Sequence, residues 1–106
     1  MTVTLESYDN GSFSTAYWGG TASAGDLLMI IAGSVNHLDS PSTPPSGWTE
    51  LYDEQMDPSG EQDAFFIWYL IAAGGETSAV IDAGSSNLCW VGLRFSGVDG
   101  LSLIHI

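Results

Sequence analysis

The sequence predicts an all-β chain folded as a two-layer antiparallel β-sandwich, a jelly roll with about eight strands shared between two sheets. Three features of the chain point there. Thirteen glycines and four prolines interrupt it too often for a long helix. The segments between them are short and rich in aromatic and β-branched residues, which suit a pleated, half-buried surface. Turn signals recur about every ten residues, the spacing of sandwich strands. At 106 residues the chain reads as one domain, residues 1–106, with one hydrophobic core.

The first strand is expected at Thr2–Tyr8 and the second at Phe13–Trp18. Asn10-Gly11 between them tolerates positive φ at both central positions of a tight turn, so the two should form a hairpin. The third strand is the apolar run Leu27–Ser34. Residues 37–47, HLDSPSTPPSG, carry Pro41, Pro44 and Pro45 and form a polyproline-like loop. Trp48–Asp53 is the fourth strand, with Trp48 plugging one end of the sandwich where the loop enters. The acidic stretch from Asp53 to Asp63 is the second long loop, and Ala64–Ala72 is the fifth strand. Reversals at Gly74-Gly75 and Gly84-Ser85 bracket the sixth, Thr77–Asp82. Asn87–Phe95 and Leu101–Ile106 complete the set.

Sandwich strands show one face to the core and one to water. Ala64–Ala72 does not. One face carries Phe65, Ile67, Tyr69 and Ile71, the other Phe66, Trp68, Leu70 and Ala72, and both are apolar. Leu27–Ala32 behaves alike. Either loops cover the second face of these central strands, or it lies in an interface, because monomers rarely expose contiguous apolar patches beyond a few hundred Å². By contrast Asn87–Phe95 puts Cys89, Val91, Leu93 and Phe95 on one side with Arg94 on the other, the pattern of an ordinary one-sided strand.

Charge excludes whole classes of partner. Thirteen acidic residues against one arginine and no lysine give a formal net charge of −12. Arg94 alone cannot build the basic stripe that nucleic acid requires, nor hold an anionic membrane surface. Disorder is excluded in turn, since 44% of residues are apolar and 11% aromatic. The lone cysteine, Cys89, precludes an intramolecular disulfide and reads as a buried, inert thiol. No basic segment followed by an apolar one opens the chain, and the longest apolar stretch, Ala64 to Ala73, is about half of what a membrane-spanning helix needs. Asn10-Gly11-Ser12 matches the glycosylation pattern by accident. The expectation is a soluble protein made in the cytoplasm.

Chemistry finds little support. Asp53, Glu54, Asp57, Glu61 and Asp63 are dense, but their irregular spacing, broken by Pro58, reads as a solvated loop and not as a calcium site. His37 and His105 stand far apart with no zinc pattern around them. No GxSxG, phosphate loop or dinucleotide fingerprint is present. The chain is therefore expected to be no enzyme and to hold no metal or cofactor. Carbohydrate remains a possible ligand, through Tyr17, Trp18, Trp48 and Tyr52, although aromatics in a small all-β domain are more often core residues than sugar platforms.

The order of segments resembles a small β-sandwich domain of tailed-bacteriophage structural proteins. In that likeness Gly25-Asp26 opens an apolar strand and Pro44-Pro45-x-Gly47-Trp48 opens the next. An aromatic strand then runs into a turn followed by Glu76, and a closing strand ends in Phe95-x-Gly97-Val98-Asp99. It spans about Ala24 to Asp99. The resemblance implies a virion component without catalytic residues. A stand-alone domain suits a capsid decoration protein on the outside of the head, whose partners are the major capsid protein and further copies of itself in a homo-oligomer such as a trimer; the alternative is a tail- or fibre-associated carbohydrate-binding module. Phe66, Trp68 and Leu70, with Leu103, Ile104 and Ile106 of the apolar C-terminal run, are the candidate interface residues.

Overall fold

The computed structural model describes residues 2–12, 15–34, 44–56, 63–81 and 88–98, the side chains of 34, 53–56, 63, 64 and 88 excepted. Seven strands occur among them: β1 (Thr4–Ser12), β2 (Thr15–Tyr17), β3 (Leu27–Ser34), β4 (Thr49–Met56), β5 (Asp63–Ile71), β6 (Ser78–Val80) and β7 (Leu88–Ser96). Five of them form an antiparallel sheet in the order β1-β7-β3-β5-β4, and β2 pairs with β6 in a second, two-stranded one. The chain is thus all-β and sandwich-like, but among the described residues its layers hold five and two strands in place of the expected four and four, and the jelly-roll order is not displayed. β3 has the bounds expected of it. The expected strand Leu101–Ile106 lies outside the described residues.

The expected hairpin at Asn10-Gly11 is not formed. Both residues lie inside β1, opposite Val91 and Trp90 of β7, and β2 pairs with β6 instead. The glycine answers a different need: a Cβ at Gly11 would come within 2.9 Å of the Trp90 ring, closer than carbon atoms pack. The acidic loop is also shorter than expected, since residues 53–56 continue β4 and Asp63 already belongs to β5. Gly74-Gly75 does form a reversal, with φ of +112° and +97°, a region open to glycine and strained for other residues. The reversal expected at Gly84-Ser85 and most of the proline loop lie outside the described residues. At that loop's end the Trp48 N–H donates to the Pro45 carbonyl at 3.0 Å.

The core forms where β2, β6 and their flanks pack on one face of the large sheet. β3 contributes Leu28, Ile30 and Ala32; β5 contributes Phe66 and Trp68, whose rings stack at 4.4 Å. Trp18, just after β2, is wholly buried, donates from Nε1 to the Glu76 carbonyl at 3.3 Å and packs its ring 5.9 Å from that of half-buried Trp48. Trp48 thus packs against the core where the chain enters β4. Full burial of each large side chain contributes about 1.5–3 kcal/mol.

β7 fits the second layer through Gly92. The carbonyl of Tyr17 occupies the space where a Cβ on residue 92 would stand, so β2 lies directly on β7 at a point that excludes any side chain. Trp90 and Arg94 flank Gly92 on the same face. Arg94 remains paired there: Nε donates to Ser7 Oγ at 2.9 Å and Nη1 to Asp26 Oδ2 at 3.1 Å, while Ser7 Oγ donates to the Trp18 carbonyl at 2.6 Å.

Candidate functional site

The face of the five-stranded sheet turned away from this core is the feature most suited to function. Because side chains alternate along a strand, burying Leu28, Ile30 and Ala32 turns Leu27, Met29, Ile31 and Gly33 the other way. The pairing register then builds rows across the sheet. Leu5, Phe95, Leu27 and Ile71 form the first. Tyr8, Leu93, Met29, Tyr69 and Thr49 form the second, and Asn10, Val91, Ile31, Ile67 and Tyr52 the third. Ser12, Cys89, Gly33 and Phe65 begin a fourth. The register sets Glu54 of β4 at the end of that fourth row; every other residue of the four rows is uncharged, in a protein of net charge −12.

This face is open to solvent in part. Val91 and Ile71 are each 38% exposed, and Tyr8 and Tyr52 more so. Leu27 is buried, at 4% exposure, and Met29, Ile31, Phe65, Ile67, Tyr69, Leu93 and Phe95 are half-buried. Tyr52 meets Phe65 edge-on at 5.8 Å, so rigid aromatic surface reaches the β4 rim.

β7 is oriented opposite to the expected way. A one-sided strand turns its apolar set to the core; here Cys89, Val91, Leu93 and Phe95 face outward, while Trp90, Gly92 and Arg94 face inward. Close backbone approach at Gly92 and the room needed by the Trp90 indole decide this. The one available signal was a glycine within a strand, which often marks a close backbone approach. With that reversal Cys89 is exposed, contrary to the expected buried thiol.

The interface candidates are placed accordingly. Phe66 and Trp68 are 0% exposed and face the core, and Leu70 packs against that core partly buried. Their neighbours Phe65, Ile67 and Tyr69 present the outward face of β5. Leu103, Ile104 and Ile106 lie outside the described residues. Of the candidate sugar platforms, Trp18 is wholly buried, Trp48 packs on it, and exposed Tyr17 leans on Trp90 with ring centroids 6.0 Å apart.

Asp26 and Glu76 hold turns of the backbone. Asp26 Oδ2 accepts the Ser23 N–H at 2.9 Å as well as Arg94. Glu76 accepts the N–H groups of Ala73 and Gly74, each at 2.9 Å; the Ala73 bond foremost, and with it the backbone N–H groups of Glu76 and Gly74, hold its carboxyl below the ordinary value of 4.5 against the opposing effect of desolvation. Among the described residues no three of His, Cys, Asp and Glu gather to hold a metal, and no helix is long and apolar enough to cross a membrane. Both histidines fall outside the described residues.

No protein-family model matches the chain, and no curated protein matches it. Among solved structures it is similar to the tripod from the baseplate of bacteriophage Tuc2009, with 19% sequence identity and a TM-score of 0.42. That similarity covers 86% of this chain and 62% of the other, so the chain spans less than two thirds of the tripod chain's length.

Proposed function

We propose that the chain is a structural module of a tailed-bacteriophage virion, acting by protein–protein contact through the outward face of its five-stranded sheet. The observation that carries this reading is the predominantly apolar face itself, on which the register sets a single acidic position, Glu54, at the β4 edge. Such a face is a poor surface to leave in water and lacks the convergent polar groups of a small-molecule site.

The phage assignment is supported by the segment order described above, and the residues that carry that resemblance have structural work in this fold. Asp26 holds Arg94 at the entry to β3. Trp48 packs against the core before β4. Gly47, Gly25 and Gly97 take positive φ values at the strand ends, and Glu76 binds the Gly74 reversal. A motif set built from such residues fits a scaffold.

Labelling purified particles with antibody to this chain tests the reading. Label on the head lattice supports a capsid decoration role, with the major capsid protein as partner. Label on the tail or baseplate supports a tail-associated module. Particles without the chain overturn the virion reading.

A further inference from the structure

We infer that the outward sheet face is covered by the same face of a second copy of this chain, in an isologous sheet-on-sheet dimer. The inference deepens the reading above, resting on it only in taking this face as an interface.

The edges of the sheet are unsuited to association. β1 carries an irregularity between Leu5 and Ser7, and β4 one between Glu50 and Tyr52. Bulges of this kind twist an edge strand away from edge-to-edge pairing. Both edge strands also bear carboxylates, Glu6 and Asp9 on β1 and Glu50 on β4. Two copies meeting edge to edge would bring like charges together with no lysine available and Arg94 committed to Asp26. The face offers approach without that opposition.

Its size fits. Five strands spaced about 4.8 Å apart and some seven residues long at about 3.3 Å each give roughly 550 Å² of sheet. Two copies bury roughly 1,100 Å² before side-chain relief is counted, above the roughly 1,000 Å² that a biological interface needs and just under the standard range, the size of a reversible dimer. Symmetry fits as well. A two-fold axis along β3, between the layers, sets β1 of one copy over β4 of the other. The rim bearing Tyr8 and Asn10 then lies over the rim bearing Thr49 and Tyr52, and Met29, Ile31, Ile67 and Leu93 fill the middle. An apolar centre with a hydrogen-bonding rim is the ordinary anatomy of an interface, and two-fold dimers are the commonest closed assembly.

Sedimentation of the full chain across a concentration series tests this, with circular dichroism confirming the fold of each variant. Wild type is expected to form dimers. Val91→Arg, at a position already exposed in the monomer, should weaken association at least tenfold. Val80→Arg changes the charge equally on exposed β6, away from the face, and should leave association unchanged or tighter. Because an added cation reduces the overall repulsion, loss of dimer in Val91→Arg alone is specific to the face. Cys89 supplies a second readout in unsubstituted protein, with its maleimide labelling slowing as dimer forms. A wild type that stays monomeric overturns the inference, as does association that Val91→Arg leaves intact. Particle labelling is independent of both: a monomer found in particles removes the dimer and keeps the virion reading, and a face-to-face dimer absent from particles does the reverse.

Discussion

Arg94 Nη1 lies 3.1 Å from Asp26 Oδ2, joining β7 in the middle of the sheet to the turn that opens β3. The chain's single arginine is thereby spent inside the fold, at 19% side-chain exposure against 8% for its partner. Asp26 also holds that turn through its backbone, its N–H donating to the Ser23 carbonyl at 3.0 Å and its carbonyl accepting from Ala72 at 2.8 Å.

Removing one partner leaves the other charge largely desolvated. Arg94→Met and Asp26→Asn should each cost about 2–3 kcal/mol, below the full cost of breaking a buried pair because solvent still reaches the arginine. In urea unfolding the double variant should lose clearly less than the two single losses added together. Strict additivity would show that the two side chains do not act as a pair.

The Gly11–Trp90 contact makes a separate prediction. Gly11→Ala forces a methyl group against the indole and should cost about 1–3 kcal/mol. In a Trp90→Phe background, where the smaller ring leaves room, most of that cost should vanish. A cost independent of residue 90 would return Gly11 to the role of a backbone turn.

Glu76 predicts a pH dependence. Its carboxyl is held below 4.5 in the folded chain by the Ala73 and Gly74 N–H groups, so its contribution is present in full above that value and is lost as pH falls through the lower folded one. Glu76→Gln should therefore be less stable than wild type at neutral pH. The gap should narrow as pH falls below 4.5 and close once it has passed the lower folded value. Comparing the two proteins removes the relief of general repulsion that acidification gives both. A gap that widened on acidification would contradict the assignment.

Salt should stabilise the protein. With a net charge of −12, raising ionic strength from about 0.01 M to about 0.15 M shortens the screening length from about 30 Å to about 8 Å. The melting temperature should rise and association strengthen together. A flat melting response would count against net repulsion as the leading electrostatic effect.

Much of the fold was legible because its signals are local. The bounds of β3 follow from an apolar run between Gly25-Asp26 and the residues after Ser34, and the reversal at Gly74-Gly75 follows from a dipeptide suited to positive φ. The double apolar character of β3 and β5 was legible too. Signals serving two purposes were misread: Asn10-Gly11 has the composition of a turn, yet its glycine makes room for an indole that lies 79 positions further along the chain, at residue 90.

By itself the sequence determined an all-β chain, an acidic surface poor in cations, and two central strands apolar on both sides. Only the tertiary structure decided which side is inside. Period-two alternation says which residues share a face and carries no sign when both faces are apolar. The sign comes from fit between layers. β2 can approach β7 only at Gly92, Trp90 fills the space beside it, and Arg94 finds its carboxylate on the same side. Once those three face inward, the pairing register turns Val91, Ile31 and Ile67 outward together, and the apolar outward face is the result.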